Sequence, residues 1–299
     1  MSLEKKATLV ASSVATFLIF VKLIVGITSG SVAVLASAID SMMDVGVSLF
    51  NYFALQNSEK EADEQFNYGR SKIEPIASVI EGVVITLSGL YILYVSIVKI
   101  IDKNITVYVE ESIGVMIFSL LITTLLVVYL GRVAKKTGNM VIKSDALHYK
   151  TDVLSNGAIV FSLIVVHFSG WHLIDALMGV AIALYVTYSA YELIYDGVMM
   201  LMDAALEDES VEEIKNILAS SNITDYHWLK TRKSGKDNFV TVHLVFHVQI
   251  SLLDAHRISD AVEAKIRAID SKARWHFEIH LDPYDDSEIN EEEAYYDGD

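Results

Sequence analysis

The sequence predicts an all-α six-helix transmembrane domain followed by a small α+β cytoplasmic domain, an αββαβ open-faced sandwich. Three observations carry that prediction. Apolar runs long enough to cross a bilayer recur through the first two-thirds of the chain. They lift the mean hydropathy to +0.39 and the hydrophobic share to 53%, above what a soluble domain carries. From about Glu207 onward the runs stop, and most of the formal charge of -16 lies there.

The expected spans are Ala7–Thr28, Val32–Leu55, Ile76–Ile101, Ile113–Val133, Ala146–Ser169 and Leu173–Met202. Each holds about 20 residues or more, enough to cross roughly 30 Å as helix. The links Ser29–Ser31 and Gly170–His172 read as tight turns, so the first two spans should be antiparallel neighbours, as should the last two. Lys5, Lys6, Lys60, Arg70, Lys72, Arg132, Lys135, Lys136 and Lys143 fall on one side, and Lys99 and Lys103 on the other. The positive-inside rule then puts both termini in the cytoplasm. The start, MSLEKK, is short and basic, and no small-residue cleavage site follows the first run. That run reads as a retained span and not a signal peptide.

Beyond the spans, SVEEIKNILASS has the periodicity of an amphipathic helix with Ser210 as its N-cap. DYHWLKTRKSGKDNFVTVHLVFHVQI reads as a hairpin turning at SGKD. SLLDAHRISDAVEAKIRAI is a second helix and RWHFEIHLD a last strand. A helix-strand-strand-helix-strand order fits a sheet with helices on one face. About 80 residues leave such a domain marginal alone, so dimerisation would help it. The final stretch, DDSEINEEEAYYDGD, has the composition of a solvated, disordered tail. The negative balance argues against a nucleic-acid partner.

Two pairs of ionisable residues sit inside apolar runs. Asp40 and Asp44 stand at i and i+4 of the second span, and His148 and Asp152 repeat that spacing in the fifth. Such spacing puts both members on one helix face. A carboxylate at membrane depth costs several kcal/mol, so two matched pairs point to a function and not to chance polarity. With no cysteine in the chain, a metal site must use imidazole and carboxylate. Three carboxylates and one imidazole suit a divalent cation such as Zn2+, Mn2+ or Fe2+. Asp145 and Lys150, near the mouth of the fifth span, read as interfacial residues or local charge partners.

The cytoplasmic strands repeat the theme. Val242, Leu244 and Phe246 alternate with His243, Val245 and His247. Phe277, Ile279 and Leu281 alternate with His276, Glu278, His280 and Asp282. Each strand therefore offers an apolar face for its helices and a His/acid face for something else.

On the segments SGSVAVLASAIDSMMD and DALHYKTD, the chain resembles the cation diffusion facilitators, in the branch of bacterial ferrous-iron/zinc efflux proteins. The likeness spans almost the whole length. It implies a homodimeric antiporter of the bacterial inner membrane that exchanges a cytoplasmic divalent metal for protons. Zn2+ or Fe2+ is the expected substrate, with Cd2+, Mn2+ and Co2+ chemically compatible. The resemblance makes Asp40, Asp44, His148 and Asp152 the transport site. It places His227, His243, His256, His280 and Asp282 at a binuclear site on a dimer interface, and Lys72 and Asp203 at a charged interlock. Hydropathy and composition divide the chain into 1–206, 207–284 and a tail at 285–299, and the resemblance assigns transport to the first and metal binding and dimerisation to the second. His247 and His276 share the His/acid strand faces but do not match the family's motif, and His167 and His172 flank the external turn and read as interfacial. A loop site built in that branch from an Asp and two His should be absent or degraded here. Asp63 matches the acid, but Phe66 and Arg70 stand where the histidines belong.

Two other classes compete. A metal-sensing receptor would bind without transport, but has no need of ligands at membrane depth. An intramembrane metal-dependent hydrolase would need an open coordination position and a general base. No H-E-x-x-H stretch is present.

Overall fold

Apolar residues without a helix-breaking run set the first two-thirds of the chain into long helices. In a computed structural model these are α1 (Leu3–Ser29), α2 (Val32–Ser58), α3 (Ile73–Asp102), α4 (Ile113–Thr137), α5 (Met140–Ser169) and α6 (Leu173–Leu201). The structure describes residues 2–29, 32–102, 113–169 and 173–285. Side chains of some helical positions within those ranges, Asp40, Lys99 and His167 among them, lie outside the described residues, as do Lys103, His172 and the tail from residue 286.

Among the described residues, four stretches are long and apolar enough to cross a membrane: Leu3–Val25, Ile73–Val98, Ile117–Thr137 and Leu177–Leu201. Parts of α2 and α5 lie outside the described residues, so these two expected spans fall outside that comparison. Helix α5 also begins at Met140, six residues before the expected Ala146. Asn139 explains the early start: its side-chain oxygen accepts from the Ile142 N–H at 3.2 Å. Gly138, at φ +63, supplies the sharp turn out of α4.

Among the described residues the helices bury two apolar clusters. One joins Ala7 and Ala11 of α1, Leu55 of α2, Ala77 of α3, Leu130 of α4 and Ile142 and Tyr149 of α5. The other joins Ile85 of α3 and Ala158 of α5 to Ile182, Val186, Ala190 and Leu193 of α6. Close approach of α3 and α6 depends on small residues: a Cβ added at Gly82 would lie 2.6 Å from Ile194.

Residues from Met199 onward form a second compact unit. It comprises α7 (Asp208–Ala219), β1 (Asp225–Ser234), β2 (Asp237–Val245), α8 (Leu252–Ile269) and β3 (Arg274–Asp282). The sheet order is β1-β2-β3, with β1 antiparallel to β2 and β2 parallel to β3 through the α8 crossover. Gly235, at φ +58, turns the hairpin. Ile214 and Leu218 of α7 and Val262 and Ile266 of α8 pack on Val240, Val242 and Leu244. The expected N-cap Ser210 lies inside α7. The helix starts at Asp208 after Glu207, which makes no side-chain cap. Asp208 and Glu209 instead place negative charge in the first turn, where the helix dipole favours it. Helix α8 is capped by Ser251, which accepts from the Asp254 N–H at 3.1 Å.

Candidate metal centres

The first cluster lies between α2 and α5. Asp44 comes from α2, and His148 and Asp152 from successive turns of α5. Their ligand atoms lie within 4.8 Å of one another, and His148 Nε2 is 3.3 Å from Asp44 Oδ1. One hydrogen bond fixes the register of the two helices here: Ser48, one turn beyond Asp44, meets Tyr149, the neighbour of His148, at 2.8 Å. Both of those residues are buried. Two carboxylates and one imidazole converging at this distance form a hard-to-borderline donor set for a divalent cation. Asp40 stands one turn before Asp44 on α2; its side chain lies outside the described residues.

Three further ionisable residues at this depth did not stand out in the sequence as part of a site. Asp145, expected at the interface, is 0% exposed, because α5 starts early enough to carry it inside the bundle. Glu81 of α3 is 2% exposed and accepts from Asn51 Nδ2 at 3.0 Å and Ser144 Oγ at 2.5 Å. Lys22 of α1 is also buried and donates to Ser41 Oγ on α2 at 2.8 Å. The signal available for all three was an ionisable residue within or beside an apolar run. Lys150, also expected near the mouth, bonds the Tyr185 hydroxyl on α6.

The second cluster draws one residue from each cytoplasmic strand. His227 of β1 pairs across with His243 of β2, and Asp282 of β3 lies opposite Val245. Asp282 Oδ2 is 3.0 Å from His243 Nδ1 and 3.3 Å from His227 Nε2. Asp282 is buried at the sheet while both imidazoles keep partial exposure. A register shift between His227 and Lys230 holds Trp228 at φ 55, where non-glycine residues are rare. This bulge sits directly beside the cluster, a common place for one. It is a feature no sequence pattern announced.

The remaining expected ligands are less tightly gathered. His280 packs its ring 4.6 Å from that of His243 and comes within 3.6 Å of Asp282, yet its side chain is 65% exposed. His256 on α8 is 66% exposed and lies 3.6 Å from Asp260, outside the three-residue cluster. His276 pairs with Asp237 at 2.9 Å and stacks on Phe239. His247 Nδ1 accepts from the Gln249 N–H at 3.4 Å.

In the loop after α2, Asp63 meets Arg70 at 2.5 Å and accepts from the N–H groups of Gln65 and Phe66. Arg70 lies 4.4 Å over the Phe66 ring. A guanidinium thus occupies the carboxylate that a loop metal would need. Asp203, expected in an interlock with Lys72, pairs with Arg232 at 3.2 Å.

Comparison with known proteins divides the chain at the same place as the change in hydropathy. Residues 8–202 match the cation efflux transmembrane domain, and residues 206–284 match the cytoplasmic domain of cation efflux proteins. The chain is 34% identical to the cation-efflux pump FieF of Shigella boydii serotype 18 over 267 residues, covering 88% of each chain. It shows the same identity and coverage with FieF of Escherichia coli O127:H6. A solved structure of the zinc form of CzrB aligns with 26% of this chain and 90% of that chain at 28% identity, with a TM-score of 0.24.

Proposed function

The chain belongs to the cation efflux family, and from that premise we propose that it exports Zn2+ or Fe2+ from the cytoplasm by proton antiport through Asp40, Asp44, His148 and Asp152. It is a membrane transporter of divalent metal cations. The observation that carries the finer reading is the convergence of Asp44, His148 and Asp152 between two helices of the membrane unit. In the proposal all six long helices span the bilayer, with both termini cytoplasmic. The ionisable residues that lower the hydropathy of α2 and α5 are then the functional ones.

The coupling follows from ligand chemistry. Carboxylate and imidazole bind metal only when deprotonated, so metal and protons compete for one site. Metal entering from the cytoplasm displaces protons. After α2 and α5 rearrange to face outside, protons displace the metal and the protonated site returns. Of the four ligands, His148 is of the side-chain type that titrates nearest neutrality. It therefore takes a proton as the metal leaves.

In the cytoplasmic unit, His227, His243 and Asp282 hold a regulatory metal. His280 and His256, exposed in the single chain, complete a binuclear site across a homodimer interface. The cytoplasmic dimerisation-type domain supports that pairing. Proteoliposomes carrying the full chain and an internal pH dye test the coupling. Zn2+ flux should be accompanied by counter-flow of protons. Zn2+ flux with no pH change would overturn antiport.

A further inference from the structure

Beside the Asp44–His148–Asp152 cluster lies a second group of buried oxygens. Glu81 uses Oε2 to accept from Asn51 and Ser144, while its Oε1 is buried with no hydrogen-bond partner. Both carboxylate oxygens of Asp145 are in the same condition, and so is Oδ1 of Asn51. Asn51 and Asp145 are 0% exposed and Glu81 2%. Four oxygen atoms from α2, α3 and α5 thus have no well-formed hydrogen bond inside the bundle, although the Asn51 amide reaches toward Asp145. The Asn51 amide ties two of the residues together, and Glu81 and Asp145 are near enough to repel.

Such an arrangement is costly as it stands. A buried carboxylate needs a counter-charge or a full set of donors. Glu81 receives two neutral donors, and Asp145 has the Asn51 amide beside it without a full set of donors. His148 exerts an attraction on both, but is itself held by Asp44. A divalent cation held between Glu81 and Asp145 would supply the missing counter-charge and cancel both charges.

We propose that Asn51, Glu81 and Asp145 bind a divalent cation in a second intramembrane site, made of oxygen alone. The proposal rests on the transport reading and extends it: the second site receives the cation before Asp44, His148 and Asp152 do. Its position supports that order. Asp145 precedes His148 by three residues on α5, about 4.5 Å along the axis, toward the end where α5 begins. Asn51 lies seven residues past Asp44, toward the end where α2 stops. Seven residues before Glu81, two turns nearer that end, stands Glu74. It is buried and accepts from Asn139 at 2.7 Å and Ser58 at 3.1 Å. Buried acids therefore form a column from the start of α3 to the imidazole site. An oxygen-only set favours hard cations and binds more loosely than one with imidazole, which suits a staging point.

The test uses the full chain in detergent, with Mn2+ as the probe and bound Mn2+ counted by electron paramagnetic resonance. Glu81→Gln/Asp145→Asn should bind one Mn2+ fewer per chain than the parent at saturation. Asp44→Asn/His148→Ala should lose a different one, so the combined variant loses both. Asn51→Asp adds charge while keeping an oxygen, and should raise Mn2+ affinity about tenfold. It interrogates the site with both carboxylates intact, even if the double variant does not fold. An unchanged Mn2+ count in Glu81→Gln/Asp145→Asn, or weaker binding in Asn51→Asp, overturns the second site. An unchanged count in Asp44→Asn/His148→Ala, with flux intact, overturns the transport site itself.

Discussion

The membrane unit and the cytoplasmic unit each gather His and Asp, and they do so by opposite means. In the membrane, two of the three clustered residues lie one turn apart on α5, and the third is brought by α2. In the cytoplasm, each residue comes from its own strand. Strand register is locked by backbone hydrogen bonds along its whole length, and a slip of one residue would reverse every side chain. The register of α2 against α5 is held by side-chain packing and the Ser48–Tyr149 hydrogen bond. If the α2–α5 cluster is a transport site as proposed, its ligands must be able to part. If the strand-built cluster is a regulatory site as proposed, its ligands must stay. The donor chemistry is shared, and the scaffold makes the difference.

The largest effect should come from the ligands that α2 and α5 contribute. Asp44→Asn or Asp152→Asn should lower Zn2+ flux in proteoliposomes by about 100-fold or more, beyond what loss of an outer-shell partner costs a metal site. Flux near the parent value in either variant would break the contrast at once. Next is the strand-built cluster. With Zn2+ at 100 times its dissociation constant, binding should stabilise the cytoplasmic unit by about 2.7 kcal/mol. Asp282→Ala should erase that gain in a calorimetric melt. His256→Ala should keep most of it in a single chain, since His256 stands apart from the three-residue cluster.

A smaller effect sharpens the scaffold argument. Tyr149→Phe removes the hydroxyl that meets Ser48, at about 1 kcal/mol. It should loosen α2 against α5, seen as faster amide exchange in both helices, while leaving Zn2+ melting shifts of the cytoplasmic unit unchanged. The smallest belongs to the loop that has a carboxylate but no gathering. Asp63→Asn breaks an exposed pair with Arg70 and should change stability by under about 1 kcal/mol, with flux unaltered.

Much of this was legible in the sequence. The i, i+4 spacing of His148 and Asp152 needs only helix geometry to become one face, and the alternation of β2 and β3 needs only the pleat. Family resemblance, and not spacing, brought His227 to the same place as His243 and Asp282. Other features were hidden for physical reasons. Asp145 stands at the edge of an apolar run, where a carboxylate reads as interfacial; it is buried because Asn139 starts α5 early. Glu81 is one acid in an apolar run, and its importance lies in Asn51 and Ser144, distant in sequence. The bulge at Trp228 depends on the fit of β1 to β2 and leaves no local composition signal.

The most direct test sets one residue from each scaffold side by side in the same assay. His148→Ala and His243→Ala, in the full chain, are reconstituted at equal density and Zn2+ flux is measured. The account predicts that His148→Ala abolishes flux while His243→Ala retains a substantial rate and loses only its dependence on cytoplasmic Zn2+. Equal loss in both variants, or flux surviving in His148→Ala, would contradict it.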